Sequence, residues 1–207
     1  MMSYTTVKEL AEFRFEDRKS VFIGFAKPVS TEDEATDFVA SVKKKFPDAR
    51  HWVYAYVLRK NSAMRYSDDR EPQGTAGMPV LDVIRKRGIT DTVIVVVRYF
   101  GGILLGTGGL VHAYTEAALG AVNAAKIITY DTYSYARITV GYSDYQKIVA
   151  PLSELGFLSS DTEYTDSVSI TGSVLSENYE KTVKELSEIT SGRCLIEFIE
   201  EKYDFRE

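Results

Sequence analysis

From Val93 the chain runs VIVVVRYF, then GGILLGTGG, then LVHAYTEAALGAVNAA to Ala125. The β-branched apolar run predicts a strand ending near Phe100. Beyond it, Val111, Tyr114, Ala118, Ala121, Val122 and Ala125 recur at helical spacing and predict a helix with one apolar face. Between the two stand Gly101, Gly102, Gly106, Gly108 and Gly109. The motif is therefore strand, glycine loop, helix.

The rest of the first half follows from the same periodicities. Residues 7–15 and 18–28 read as strands joined by a short charged turn. Thr31 with Glu34 makes a capping box, followed by an apolar helical face of Ala35, Phe38, Val39, Val42 and Phe46, with Pro47 as the stop. HWVYAYVLR alternates as a strand, with Trp52, Tyr54, Tyr56 and Leu58 on one side and Val53, Ala55 and Val57 on the other. A long polar connection from Lys60 to about Met78 leads to a short helix, Pro79 to Lys86. From Tyr135 the order becomes strand 136–142, helix 144–155, strands 158–166 and 168–175, helix 177–190, strand 194–201. That is βαββαβ, the ferredoxin-like signature. Ser143 with Gln146, and Ser176, are expected as caps, and Pro151 as a kink. Domains 1–134 and 135–207 follow, and the fold class is α+β.

Composition narrows the function. The start, MMSYTTVKELAEF, lacks a signal-peptide pattern, and no apolar run approaches membrane-spanning length, so cytoplasm and no membrane partner are expected. One cysteine and two histidines argue against a structural zinc site, and Cys194 reads as an ordinary strand residue. Residues 1–131 carry 18 Lys/Arg against 16 Asp/Glu, whereas residues 132–207 carry 7 against 14. Any nucleic acid would therefore meet the first half, because phosphate neutralisation dominates such binding.

Chemistry-bearing residues gather in two stretches. The glycine loop offers close backbone approach and a helix N-terminus to an anion, or is simply a tight corner. It lacks the Walker lysine and the Rossmann arrangement, so no cofactor is expected. Asp68, Asp69 and Glu71 could hold Mg²⁺, receive a basic partner or form a solvated turn. Arg98 interrupts an apolar strand at its C-terminal end, where a guanidinium needs a partner, and a loop carboxylate would serve. His112 is a base, an anion donor or an exposed polar residue; His51 reads as structural. Serine-elbow, zincin and cysteine–histidine patterns are missing.

YSDDREPQGTAGMPVLDVI (66–84) and VIVVVRYFGGILLGTGGLVHAYTEAA (93–118) together resemble the signature of the YigZ/IMPACT family, in its bacterial form. Two departures are Arg70, where that family usually has Gly, and His112, where it commonly has Arg. The resemblance implies a first domain of the ribosomal-protein type, like domain IV of elongation factor G, an α/β sandwich with helices on one side. It implies a ferredoxin-like second domain. Eukaryotic relatives carry an extra RWD domain and restrain the kinase that signals amino-acid starvation to translation initiation; that activity is not expected to carry over.

The leading expectation is a translation-linked regulatory binding protein, a monomer or weak homodimer, engaging RNA, the ribosome or a regulatory protein. Its site would join the 65–77 loop (Arg65, Ser67, Asp68, Asp69, Glu71, Gly74, Thr75) to Arg98 and the glycine loop. Tyr54, Tyr66 and Tyr99 would stack on bases, Arg65 and Arg98 would contact phosphate, and the amides of Gly108 and Gly109 would orient an anion. The alternative is a metal-dependent hydrolase or phosphate-ligand enzyme with Asp68, Asp69 and Glu71 on the metal and His112 as base.

Overall fold

A computed structural model describes residues 3–206, except for the side chain of Arg206. The chain separates into two units, residues 4–129 and residues 130–206. Among the described residues no helix is long and apolar enough to cross a membrane.

The first unit is built from strands β1 (Tyr4–Val7), β2 (Ala11–Asp17), β3 (Ser20–Pro28), β4 (His51–Val57), β5 (Met64–Ser67) and β6 (Thr92–Tyr99), and from helices α1 (Glu32–Lys45), α2 (Gly77–Lys86) and α3 (Gly106–Ala124). Strand β6 lies at the centre of an antiparallel sheet ordered β2-β3-β6-β4-β5. Successive strand residues face opposite ways, and β6 is apolar on both faces. Val93, Val95 and Val97 join Ile23, Phe25 and Tyr56 in one core, while Ile94 and Val96 join Phe22, Val53 and Ala55 in another.

Helices cover both faces. Helices α2 and α3 close the Ile94/Val96 side, and α1 closes the other through Ala35, Phe38, Val39 and Val42. The one-sided arrangement implied by the resemblance is thus corrected, because the apolar stripe of α1 is buried against the valines of that second face. The cap of α1 forms as its sequence predicts. Thr31 Oγ1 accepts from Glu34 N at 3.2 Å, and Glu34 Oε2 accepts from Ser30 N at 2.6 Å, one residue further back than expected.

Three boundaries move. The strand expected over 7–15 is two, β1 ending at Val7 and β2 starting at Ala11. The long connection contains the edge strand β5, paired from Tyr54↔Ser67 to Val57↔Met64. Helix α3 starts inside the glycine run; Tyr114, Ala118, Ala121, Val122 and Ala125 of the expected stripe are buried, whereas Val111 is 39% exposed and Leu110 is buried in its place.

The second unit carries β7 (Ile127–Val140), α4 (Tyr142–Glu154), β8 (Leu158–Tyr164), β9 (Val168–Leu175), α5 (Ser176–Thr190) and β10 (Leu195–Arg206). Its sheet runs β8-β9-β7-β10, the ferredoxin-like order. Neither expected serine cap forms. Helix α4 begins at Tyr142 after Gly141, and Ser176 opens α5 with its hydroxyl 2.9 Å from Ser134 Oγ. Helix α4 also runs on through Pro151 to Glu154. Buried Asp144 anchors the unit, accepting from Arg193 Nε at 2.8 Å, Arg193 Nη2 at 2.9 Å and Lys147 Nζ at 2.8 Å.

Candidate functional site

Arg98 ends the buried run of β6 on the α2/α3 face, flanked in the sheet by Phe22 of β3 and His51 of β4. It is 5% exposed. A guanidinium at that depth needs a counter-charge, which the 68–76 turn supplies. Arg98 Nη1 donates to Glu71 Oε1 at 2.6 Å, and the Tyr114 hydroxyl donates to the same oxygen at 2.7 Å. Burial first, then the Glu71 charge and hydrogen bond, push Tyr114 well above the usual phenol range, so it remains a donor. His51 Nδ1 lies 2.9 Å from the Asp69 carbonyl, which can only accept, so Nδ1 carries a proton. Its Nε2 is 3.8 Å from Glu71 Oε1.

These contacts use one end of the guanidinium. Arg98 Nε is buried and has no hydrogen-bond partner among the described residues. The Nε/Nη2 edge, which grips a carboxylate or phosphate side-on, is therefore left without a protein acceptor. The Phe22 and Phe100 rings lie 5.5 and 5.6 Å from the guanidinium carbon.

Arg98 lines a cavity of about 410 Å³, within the range of small-ligand sites. Its polar lining is Arg50, His51, Arg70, Glu71 and the α3 start at Gly106 and Thr107; its apolar lining is Pro72, Phe100, Leu104, Leu105 and Leu110. Because α3 opens at Gly106, the amides of Gly106, Thr107 and Gly108 lie in its first turn, where no preceding helical carbonyl is in reach. The cavity gathers three arginines, one carboxylate and the positive end of a helix.

The other carboxylates point elsewhere. Asp68 accepts from Gly74 N at 2.9 Å, Ala76 N at 3.1 Å and Gly77 N at 2.8 Å, and so caps α2 from outside the helix. Asp69 accepts from Trp52 N at 2.8 Å and lies 3.9 Å from Lys43. Glu71 is held by Arg98 and Tyr114. No group of three acidic, histidine or cysteine side chains among the described residues is arranged to hold a metal ion. The acidic cluster of the alternative reading is not assembled here, because backbone amides and one arginine divide its members. The 65–77 loop and Arg98 do meet, but through Glu71 and not Asp68.

Sheet alternation separates further expected residues. Tyr54 and Tyr99 pack with the α1-side core, and Arg65 pairs with Glu32 of α1 at 3.4 Å, so all three stand across the sheet from Arg98. Tyr66 is 43% exposed and is not part of the cavity wall. Ser67 Oγ accepts from Asp69 N, and Thr75 Oγ1 donates to the Pro72 carbonyl, both shaping the turn. Gly74 turns at φ +76°. Gly101 fits because any Cβ would meet the Lys19 backbone at 2.0 Å, and Gly102 turns at φ +82°. His112 stands in the second turn of α3 with a side chain 77% exposed, 3.6 Å from Glu116 Oε2. It cannot be the base of this cavity.

Arg50, His51, Arg70, Phe100, Thr107 and Tyr114 were not among the expected site residues. For His51 a signal existed, since the strand pairing puts it directly opposite Arg98 on one face.

Comparison with known proteins fits this geometry into a family. Residues 18–122 match the Impact N-terminal domain, and residues 138–193 match a domain of unknown function, DUF1949. The chain is 36% identical over 192 residues to IMPACT family member YvyE of Bacillus subtilis (strain 168), covering 92% of this chain and 88% of that protein. The chain belongs to the IMPACT family. Protein IMPACT of Rattus norvegicus is 31% identical over 100 residues, 46% of the IMPACT-family chain described here and 32% of that protein. A solved structure titled as that of a hypothetical protein superposes with a TM-score of 0.60 at 30% identity, covering 97% of this chain and 98% of that one.

Proposed function

We propose that the IMPACT-family chain is a translation-linked regulatory protein, monomeric or weakly dimeric, that engages RNA or the ribosome through the Arg98 cavity. The observation that carries this reading is the Arg98 guanidinium, 5% exposed, with its Nε/Nη2 edge lacking a protein acceptor beside the start of α3. Arg50 and Arg70 on the same wall add charge of the sign that phosphate requires. Family membership supports the link to translation. A metal-dependent hydrolase gains no support from Asp68, Asp69 and Glu71, whose oxygens are each taken up in separate structural bonds.

Ribosome co-sedimentation and RNA titration over a series of salt concentrations test the proposal. Binding is expected to weaken steeply with salt, and the Arg50→Gln/Arg70→Gln double variant is expected to bind at least tenfold more weakly with a shallower salt slope. Binding that is indifferent to salt and to both arginines would refute it.

A further inference from the structure

The charge around the cavity exceeds what one internal phosphodiester needs. Arg50, Arg70 and Arg98 stand against Glu71 alone, and Gly106 and Thr107 at the start of α3 line the same space. That surplus complements a dianion, as a phosphate monoester is near neutral pH. Arg98 Nε has no protein acceptor, and with Nη2 it forms the fork of parallel N–H groups that phosphate oxygens accept. A phosphate with that charge stands at the end of a chain, because an internal phosphodiester carries a single negative charge. The rest of the lining is apolar, with the half-exposed Phe100 ring beside the Arg98 guanidinium and with Pro72, Leu105 and Leu110. A phosphate head with a flat ring next to it fits this lining, since bases stack on aromatic faces.

We propose that the Arg98 cavity is a subsite for the terminal phosphate monoester of an RNA chain, gripped by Arg98 and the α3 amides with the adjoining base against Phe100. This deepens the RNA-binding reading and rests on it. Two variants leave the fold in place. Thr107→Glu adds a carboxylate at an exposed position in the first turn of α3, where the helix dipole favours it, yet sets negative charge at the mouth. Arg70→Gly removes one guanidinium from a residue whose φ of +71° suits glycine.

The test is fluorescence anisotropy of the full chain with one short oligoribonucleotide, prepared with a 5′-phosphate, with a 3′-phosphate or with hydroxyls at both ends, alongside a phosphoserine peptide. One phosphorylated form is expected to bind at least tenfold more tightly than the hydroxyl form. Inorganic phosphate should compete that advantage away. Thr107→Glu should abolish it and Arg70→Gly should reduce it severalfold, both with unchanged circular dichroism. Equal binding of all RNA forms, still sensitive to Arg50 and Arg70, would overturn the terminal-phosphate subsite and leave the RNA reading standing. No binding of any RNA would overturn both. A phosphopeptide bound as tightly as phosphorylated RNA, or an advantage that persists in Thr107→Glu, would overturn the assignment of this cavity to an RNA end.

Discussion

Glu71 is the residue on which the site turns, because its one oxygen satisfies both Arg98 and Tyr114. Removing its charge leaves a guanidinium buried without a counter-ion, whereas removing the Tyr114 hydroxyl costs one hydrogen bond. Glu71→Gln is therefore expected to cost about 3 kcal/mol of stability and Tyr114→Phe about 1 kcal/mol, read by urea unfolding. Equal costs would mean that the ion pair is not the anchor. Arg70 is a departure with a physical meaning. It and Asp69 both occupy the left-handed region, at φ +71° and +40°, where a side chain costs roughly 1 kcal/mol. Arg70→Gly is expected to hold or raise stability by roughly 0.5 kcal/mol after glycine's own entropy cost, and a fall in Tm would contradict this. The sequence placed Arg98 at a mouth and paired it with a loop carboxylate, but it could not name Glu71 over Asp68. That choice depends on which carboxylate the turn aims inward. Arg98 and Tyr99 are neighbours on one strand and so face opposite ways, and the period of two alone separates Tyr99 from the site.

At the scale of elements, the start of α2 depends on Asp68. Its two oxygens take three amides ahead of a helix whose own N-cap, Ala76, offers none. Asp68→Ala is expected to cost about 2 kcal/mol, lowering Tm by roughly 6 °C, with the 68–76 turn loosened and Glu71 displaced. Hydrogen exchange at Gly74, Ala76 and Gly77 reads it, and unchanged protection there would sink it. Elements whose apolar residues recur at a clean period were legible: α1 with its cap, β4 with its two faces, β6. Strand β5 was not, because MRYS on a sheet edge is exposed at three of four positions and shows no alternation. The start of α3 hid for a related reason. Glycine is a poor helix former, so a run of three in four residues reads as loop although the helix begins at the first of them.

For the whole molecule, the two units are built on different electrostatics. The second depends on Asp144, whose hydrogen bonds from Arg193 and then Lys147 hold its carboxyl well below the usual carboxylate range. A depressed folded pKa contributes stability above the unfolded value near 3.9, lost as pH falls through the lower folded value. Residues 130–206 are therefore expected to keep this contribution at pH 5 and lose it progressively below pH 4. Asp144→Asn should remove the acid dependence along with the stability, as near-ultraviolet dichroism against pH would record; an unaltered acid profile in that variant would count against the pairing. The order of elements was legible from periodicity and turn residues in the second unit, and in the first unit apart from β1 and β5. The placement of α1 on the second face of the first sheet was not, since an apolar helical stripe does not say which face of a two-sided sheet receives it.

The central claim is that a buried arginine edge and a helix start share one anion. ¹⁵N NMR of the full chain titrated with inorganic phosphate tests it most directly, because Arg98 Nε–H and the α3 amides report separately. The expected result is that Arg98 Nε–H and the amides of Gly106, Thr107 and Gly108 shift together along one saturating curve, and that Thr107→Glu removes the response. Shifts elsewhere with those four signals unmoved at saturating phosphate would contradict it.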